Sequence, residues 1–402
     1  MVAGLATEQS IVIPDKMLSD AAIAVHHQEV STIDPESKQV KTSAGQSYSY
    51  DKLFLAMGSS PFIPPIEGRD LEGVVTLRDL VDATAIKKRL ASGGKQIVFI
   101  GAGFISMEIA ALLAEQGGDA TRITVVELMD RVLPLMLDGD MAEGVQRYLA
   151  DEKINFITGD KVEKIIGQNG KVKGVLLASG RKIEADLVFL NIGVRPNLEL
   201  ARDIGLEMGD YGIKVNGYQE TSAPDILAGG DCVQKYSFIT GKPTAGQLRG
   251  PAVVQGRLAA KRLAGFDISF PGVLDAGGCK MLDMTVTATG LTETRAREEG
   301  FETVSAIVDS RSKHGMIAGM APWRLKLVFD KNNHRLLGGQ IVSRDIAPAR
   351  EIDAVSAFIF GKKTIAELTT FTSACNPDIS SEPSAEPITI AAEQALQKAT
   401  KS

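Results

Sequence analysis

The chain has 402 residues, 44% of them hydrophobic, and a formal net charge of −6 from 44 Lys and Arg against 50 Asp and Glu. This length is typical of two or three domains, and the lack of a basic cluster argues against nucleic acid as a partner. No apolar run approaches the roughly 18 residues of a membrane-spanning helix, and the first residues do not have the pattern of a signal peptide, so we expect a cytoplasmic protein without a membrane span.

The first 92 residues predict short strands followed by one helix. The apolar run Leu53–Ala56 stops at Met57-Gly58, which is typical of a buried strand. The segment Pro61–Pro65 must be extended, since proline blocks both helix and ladder pairing. A helical period runs from Thr76 to Leu90, and Ser92-Gly93-Gly94 then breaks the chain. We therefore place the first domain boundary between residues 92 and 93.

Residues 96–127 have the order of one βαβ unit: strand, glycine loop, helix, strand and acid. Gly101 and Gly103 allow the backbone to approach a pyrophosphate at the N-terminus of the helix, with Ser106 in place of a third glycine. Glu127 follows the second strand, where an acid would accept hydrogen bonds from ribose hydroxyls. The pattern predicts dinucleotide binding, and the alternative is a plain strand–turn–helix connection.

Glu127 also bears on the choice between NADH and NADPH. A 2′-phosphate about 4 Å from its carboxylate is repelled by ~1 kcal/mol per unit charge in water and by ~4 kcal/mol at an effective dielectric constant of about 20. We expect NADH to be preferred. The alternative is a solvated acid at the end of a strand.

The alternation of strands and helices continues after residue 127. We expect a helix at about Gly139–Lys153, hairpins, and a buried strand at Leu187–Leu190 that closes on Gly193-Val194-Arg195-Pro196. A further strand ends at Gly229-Gly230-Asp231, which places a carboxylate at the strand tip. A strand is predicted at Ile154–Thr158, after the Gly139–Lys153 helix. Beyond Asp231 the predicted elements are a helix at Pro251–Ala264, strands at Met284–Thr289, Leu325–Phe329 and Leu337–Val342, a helix at Ile346–Phe360, and a tail loop spaced by Pro377, Pro383 and Pro387.

Together these segments resemble the FAD-dependent pyridine nucleotide–disulfide oxidoreductases. The closest resemblance is to the branch of NADH oxidases, coenzyme A-disulfide reductases and NADH:rubredoxin reductases, and it covers about Val30 to Leu396. The segments that carry it, in family order, are Ala56-Met57-Gly58, Gly101-Ala102-Gly103-Phe104-Ile105-Ser106-Met107-Glu108, Glu127, Gly193-Val194-Arg195-Pro196-Asn197 and Gly229-Gly230-Asp231-Cys232.

The resemblance implies a set of FAD-binding residues. Ala56 and Gly58 match a segment near the flavin, although Met57 stands where the family has Thr. Asp231, after Gly230, matches the carboxylate that holds a ribityl hydroxyl. The start of the helix under the isoalloxazine matches Ala245, Gln247 and Leu248.

The resemblance also implies an NADH site and catalytic residues. Gly101, Gly103, Ser106 and Glu127 match the NAD loop, and Gly193 and Arg195 match the loop on the nicotinamide side. The catalytic candidates are Phe104, which matches an aromatic gate over the flavin, Glu108, which matches an acid near flavin and nicotinamide, and Cys375 in the tail.

The fold that the resemblance implies is α/β. It has two Rossmann-like nucleotide-binding domains, with the NAD domain inserted in the FAD domain, and an α+β C-terminal dimerisation domain. We expect FAD-binding parts at residues 1–92 and 212–272, the NAD(H)-binding domain at 93–211 and the dimerisation domain at 273–402. A homodimer follows from the last of these.

The chain departs from the family pattern in two places. It begins after the family's first βαβ segment, with its GxGxxG and nearby redox-active Cys, so we expect that this chain alone holds FAD weakly or not at all. No His follows His334, and Asn376-Pro377 stands near the place of a His-Pro pair. Cys375 is then either an inert loop thiol or a thiol facing the partner's flavin. No two Cys have metal-site spacing, so no metal is expected.

The function implied is hydride transfer from NADH to FAD and on to a disulfide or persulfide, dioxygen or a small redox protein. An electron transferase that feeds a rubredoxin-like partner is an alternative, since it needs no redox-active Cys. A non-catalytic NADH-binding protein or sensor without flavin is an alternative of another class.

Overall fold

The computed structural model describes residues 7–91, 95–118 and 121–401. Its α-helices are α1 (Glu8–Ile11), α2 (Asp15–Asp20), α3 (Leu80–Ala91), α4 (Phe104–Gly117), α5 (Gly139–Asp151), α6 (Glu199–Asp203), α7 (Arg249–Leu263), α8 (Glu293–Glu298), α9 (Ile346–Ala349), α10 (Glu351–Phe360), α11 (Ile365–Leu368) and α12 (Pro387–Lys401). None of the helices in these ranges is long and apolar enough to cross a membrane.

The strands up to the middle of the chain are β1 (Val30–Asp34), β2 (Gln39–Thr42), β3 (Ser47–Ser49), β4 (Leu53–Leu55), β5 (Ser59–Pro61), β6 (Val74–Val75), β7 (Gln96–Ile100), β8 (Arg122–Glu127), β9 (Ile154–Thr158), β10 (Val162–Gln168), β11 (Lys171–Leu177), β12 (Lys182–Glu184) and β13 (Leu187–Leu190). The later strands are β14 (Val194–Pro196), β15 (Met208–Gly209), β16 (Gly212–Ile213), β17 (Ile226–Ala228), β18 (Lys235–Tyr236), β19 (Pro243–Thr244), β20 (Gly277–Met281), β21 (Met284–Gly290), β22 (Thr303–Arg311), β23 (Pro322–Asp330) and β24 (Leu336–Ser343).

The chain folds into two compact units. The first unit comprises residues 7–60 and Val194–Val273, and the second comprises the described residues within 61–193 and 274–401. The first unit contains the antiparallel sheet β1-β2-β3 and the parallel pair β4-β17. The strands β4 and β17 pair with each other from Leu53↔Ile226 to Leu55↔Ala228.

A five-stranded parallel sheet in the order β6-β13-β7-β8-β9 forms the nucleotide-binding part of the second unit. Its strands are nearly continuous apolar runs because both faces are covered, and Phe99 and Phe189 stack at its centre with ring centroids 4.5 Å apart. Because β6 pairs with β13, residues 74–75 join this sheet, although we predicted them in the first domain. The boundary predicted between residues 92 and 93 lies outside the described residues.

The C-terminal part of the second unit is an antiparallel sheet in the order β20-β21-β24-β23-β22. Its buried side chains Cys279, Met281 and Met284 belong to the same apolar core as Phe99 and Met107. The parallel and antiparallel sheets of the second unit therefore share this core.

Several C-terminal elements differ from those predicted. The helix predicted at Ile346–Phe360 is divided at Arg350 into α9 and α10. Pro387, which we placed in the tail loop, begins α12, since proline is tolerated in the first turn of a helix. The strands β20 and β22 were not predicted.

Candidate functional site

The glycine loop after β7 is built for close approach of a ligand. Gly101 has φ +94°, and a Cβ there would lie 2.7 Å from the carbonyl oxygen of Asn191, so only glycine fits. Gly103 is the N-cap of α4 and makes no side-chain cap, and a Cβ there would meet no atom within 4 Å. No side-chain cap occupies the N–H groups at the start of α4, as an anion site at a helix N-terminus requires.

Glu127 lies at the end of β8 and is 9% exposed. Its Oε2 accepts a hydrogen bond from the backbone N–H of Ala102 at 2.7 Å, and its Oε1 accepts one from Met129 at 2.9 Å. A carboxylate has about four lone-pair sites, so both oxygens retain capacity for ribose hydroxyls. The acid predicted to hold the ribose therefore also holds the glycine loop.

The side chain of Ser106 is fully buried on α4, and within the described residues its Oγ has no hydrogen-bond partner. This is the position of the third glycine of the fingerprint, which serves close packing of helix on strand. Only the backbone of Ser106 is placed to meet a ligand.

Phe104 lies at the start of α4, against β20. A Cβ on Gly277 would lie 3.1 Å from Cζ of the Phe104 ring, so the missing side chain at residue 277 makes room for the ring. The thiol of Cys279 on the same strand points to the carbonyl oxygen of Phe104 at 3.9 Å. The ring predicted to act as a gate thus rests on β20.

Glu108 is half-buried one turn further along α4. Burial raises the pKa of its carboxyl group, and a hydrogen bond from the backbone N–H of Lys280 to Oε1 at 3.2 Å opposes that rise. Burial, assisted by the negative charge of Glu108, also raises the pKa of Cys279. Glu108 therefore holds its proton more readily than an exposed Glu, and Cys279 remains a thiol.

A second group of predicted residues gathers in the first unit, where β17 ends. Gly230 has φ +80° and turns the chain so that Asp231 follows at the strand tip. The carboxylate Oδ2 of Asp231 accepts a hydrogen bond from Ser59 Oγ at 2.8 Å, and Gln255 on α7 accepts the Gly230 N–H at 3.0 Å. The turn and its carboxylate are therefore held from two sides.

Asn197 ties the segment Ala56-Met57-Gly58 in place. Its backbone N–H bonds to the carbonyl oxygen of Gly58 at 3.0 Å, its Nδ2 donates to that of Met57 at 2.9 Å, and its Oδ1 accepts from Ser60 Oγ at 2.8 Å. Gly58 has φ +66°. These contacts fix the backbone of the segment that we predicted to lie near a flavin.

The remaining predicted residues lie on loops. Gln247 Nε2 donates to the carbonyl oxygen of Asp231 at 3.5 Å, and Leu248 is the N-cap of α7. Gly193, with φ +114°, precedes the exposed Arg195 of β14. Cys375 is exposed, with its thiol 3.4 Å from the carbonyl oxygen of Ser373.

Models of known families match most of the chain. Residues 7–254 match the pyridine nucleotide-disulphide oxidoreductases, and residues 277–386 match the dimerisation domain of pyridine nucleotide-disulphide oxidoreductases. The chain belongs to this family. The predicted family and fold class are thereby confirmed, and the dimerisation domain supports the predicted homodimer.

Two relatives and one solved structure are similar to this chain over most of its length. An NADH oxidase of Methanocaldococcus jannaschii is 38% identical over 92% of this chain and 82% of its own. A CoA-dependent NAD(P)H sulfur oxidoreductase of Pyrococcus abyssi is 34% identical over 87% of this chain and 78% of its own. The structure of an NAD-dependent persulfide reductase from A. fulgidus superposes with a TM-score of 0.93 and 33% identity, and it covers 100% of this chain and 75% of that one.

This pyridine nucleotide-disulphide oxidoreductase is an FAD- and NAD(P)H-dependent enzyme. The described residues fit both cofactors. The glycine loop offers uncapped N–H groups for a pyrophosphate and Glu127 offers acceptors for a ribose. In the first unit, Oδ1 of Asp231 accepts no hydrogen bond from the described residues, and the buried Nε2 of Gln255 is an unpaired donor among them.

Sequence patterns did not indicate every residue that shapes these sites. Ser59 and Gln255 act through contacts with residues distant in sequence, and no local pattern marks them. Asn197 stands in the predicted Gly193–Asn197 motif, so the motif could have pointed to it.

Proposed function

We propose that the enzyme oxidises NADH and passes the electrons through FAD to a sulfur acceptor of the persulfide or polysulfide class. The first unit would hold FAD and the second unit NADH. The observation that carries the choice of NADH is the double anchoring of Glu127 by Ala102 and Met129, since it fixes a carboxylate beside the glycine loop. The sulfur acceptor is supported by the likeness to the A. fulgidus persulfide reductase over the whole chain.

The residues of the second unit would bind and orient the nucleotide. The N–H groups at the start of α4 would hold the pyrophosphate, and Gly101 would let the backbone come close. Glu127 would accept hydrogen bonds from the ribose hydroxyls and repel a 2′-phosphate. Nicotinamide would displace the Phe104 ring when it binds. Glu108 would keep a proton near the bound nicotinamide. Gly193 would border the nicotinamide.

The residues of the first unit would orient the flavin. Asp231 would accept a hydrogen bond from a ribityl hydroxyl through Oδ1, because Ser59 already holds Oδ2. Ala56 and Gly58 would line the flavin with backbone that Asn197 fixes. Ala245, Gln247 and Leu248 would meet the ring where α7 begins. The chemistry that bound FAD supplies is the acceptance of a hydride and the release of electrons to a second substrate.

Dioxygen is a second candidate acceptor, because the M. jannaschii relative is named an NADH oxidase. A small redox protein is a third candidate acceptor, because the thiols of Cys232 and Cys279 are buried and electron transfer to such a protein needs no redox-active Cys. Cys375, which is exposed, would act only if the tail of one subunit reaches the flavin of its partner in a homodimer. A cytoplasmic location and weak retention of FAD stay predictions from the sequence.

The acceptor is tested with protein loaded with FAD. Anaerobic consumption of NADH is measured with polysulfide or coenzyme A persulfide, and aerobic consumption is measured without any sulfur compound. We expect turnover with the sulfur compound to exceed turnover with dioxygen. Faster aerobic turnover would assign the enzyme to the oxidases. Fast reduction of the flavin by NADH, with slow turnover on both the sulfur compound and dioxygen, would favour a redox-protein partner. Protein that never takes up flavin would favour the NADH sensor.

A further inference from the structure

Lys235 is a lysine buried inside the first unit. It is 1% exposed and is among the largest fully buried side chains of the chain. It lies on β18, four residues after Asp231. A buried lysine is rare because an ammonium group loses its hydration, and it persists where its donors are satisfied.

The ammonium group of Lys235 is bonded to backbone carbonyl oxygens. Nζ donates to Gly230 at 2.7 Å, to Ala245 at 3.2 Å and to Val233 at 3.4 Å. An ammonium group has three N–H donors and no acceptor, so three carbonyl oxygens match its full donor capacity. Hydrogen bonds from a charged donor are stronger than neutral ones and worth more where water is excluded.

Two of these carbonyl oxygens belong to turns that are distant in sequence. Gly230 precedes the Asp231 carboxylate, and Ala245 begins the loop that leads into α7. Gln247 on that loop also donates to the carbonyl oxygen of Asp231 at 3.5 Å. Lys235 and Gln247 therefore cross-link the same two turns, Lys235 from inside the protein.

We propose that Lys235 is a positioning residue for the flavin. It fixes the spacing between the Asp231 turn and the Ala245–Leu248 loop, so that both reach the same bound FAD. This inference rests on the proposed function in its assignment of FAD to the first unit. Binding sites tolerate displacements of only about 0.5 Å in the groups that contact the ligand, so loss of the cross-link weakens FAD binding even where the fold survives.

The test is Lys235→Met, which keeps the length of the side chain and removes its donors. FAD affinity is measured by quenching of flavin fluorescence, at a temperature below the unfolding of either protein. We expect the dissociation constant for FAD to rise by about tenfold or more and the visible spectrum of the bound flavin to change. Lys242→Met, at an exposed lysine in the β18–β19 turn, is the matched control and should leave both unchanged. A folded Lys235→Met protein with wild-type affinity and spectrum would overturn the proposal.

Lys235→Arg restores charged donors, so it should recover part of the affinity that Lys235→Met loses. If neither variant folds, amide hydrogen exchange of the wild-type protein still decides. FAD should slow exchange in residues 230–235 and 245–248 together. Protection of 230–235 by FAD with no change at 245–248 would contradict the proposal.

Failure of the proposed function has a different signature. If the wild-type protein takes up no FAD, the assignment of FAD to the first unit fails. The cross-link is then tested in flavin-free protein, where Lys235→Met should speed exchange in residues 230–235 and 245–248 more than in the sheet β1-β2-β3. Equal acceleration in all three places would show that Lys235 only stabilises the unit.

Discussion

The Oε2 atom of Glu127 lies 2.7 Å from the backbone nitrogen of Ala102, inside the glycine loop. The acid that would bind the ribose hydroxyls thus also holds the pyrophosphate loop in place. Because Glu127 holds the Ala102 N–H, it also fixes the shape of this loop. Replacing Glu127 therefore changes two things, the charge facing the ribose and the geometry of the loop.

Glu127→Gln removes the charge and keeps one of the two acceptor oxygens, so it should disturb the loop less than Glu127→Ala does. We expect the preference for NADH over NADPH to fall by between about fivefold and a thousandfold, the range set by ~1 to ~4 kcal/mol of repulsion. The change should come from a better kcat/KM with NADPH. Steady-state kinetics with both nucleotides measures it.

Glu127→Ala should also weaken the binding of NADH, since it removes the acceptors for the N–H groups of Ala102 and Met129. Glu115→Gln, at an exposed acid of α4, controls for the change in net charge and should alter kcat/KM with neither nucleotide. A wild-type enzyme that uses NADH and NADPH equally well would refute the assignment of Glu127.

Lys326 is the charged centre of the second unit. It is 1% exposed on β23, and its Nζ lies 2.7 Å from Asp140, 2.9 Å from Glu293 and 3.2 Å from Asp138. Removing one partner from a buried ion cluster costs about 3–5 kcal/mol, because the other charges stay buried. We expect Lys326→Met to lower the free energy of unfolding by about that much in chemical denaturation.

The control for that variant is Lys173→Met, at an exposed lysine of β11. It should shift the unfolding midpoint little, since surface substitutions usually change stability by less than about 0.5 kcal/mol. Equal stability of the two variants would mean that water screens the Lys326 cluster.

Asp138 makes the stability of this unit depend on pH. Burial raises the pKa of its carboxyl group, but hydrogen bonds from Thr294, Gln340 and Glu293 and the charge of Lys326 outweigh burial and lower the pKa to about 2 from the ordinary 3.8. The folded state thus favours the carboxylate. Its contribution, about 2 kcal/mol, is present above pH 4 and is lost as the pH falls towards 2.

Urea unfolding of the wild type and of Asp138→Asn at pH 6 and at pH 3 measures this contribution. The difference between the two proteins should shrink at pH 3. The control is Asp70→Asn, whose side chain is 91% exposed, and its difference from the wild type should not change with pH. A difference for Asp138→Asn that is the same at both pH values would contradict the assignment.

At Glu108 the pH dependence of stability has the opposite sign. Burial raises the pKa of its carboxyl group, so the folded protein favours the protonated form, and the ionised form costs stability as the pH rises through the raised pKa. Glu108→Gln mimics the protonated form. It should therefore stabilise the protein at pH 8 relative to the wild type and gain less at pH 5. Thermal unfolding at both pH values measures this, and a larger gain at pH 5 would be inconsistent with it.

The sequence predicted the parallel sheet of the second unit well. The strands Gln96–Ile100, Ile154–Thr158 and Leu187–Leu190 have the predicted bounds, because strands buried on both faces are continuous apolar runs. β20 was missed, since Gly277, Gly278 and Lys280 interrupt any apolar pattern and the strand exists through its pairing with β21.

Site residues that belong to a local sequence motif could be predicted. Residues that hold the site through tertiary contacts could not. Gly101, Gly103 and Glu127 follow from the order of strand, loop, helix and strand. The contacts of Ser59 with Asp231, and of Lys235 with Gly230 and Ala245, depend on tertiary packing. A lone Ser or Lys carries no sequence signal for such a contact, so the residues that hold the site were found only in the structure.

Electron transfer from NADH to a flavin bound by this chain can be followed by anaerobic titration. The purified protein is incubated with FAD, unbound flavin is removed, and NADH is added while the visible flavin absorption is followed. We expect bleaching that reaches completion near one NADH per bound FAD, and much less bleaching with the same amount of NADPH. A protein that keeps its flavin and is not bleached by NADH would contradict it.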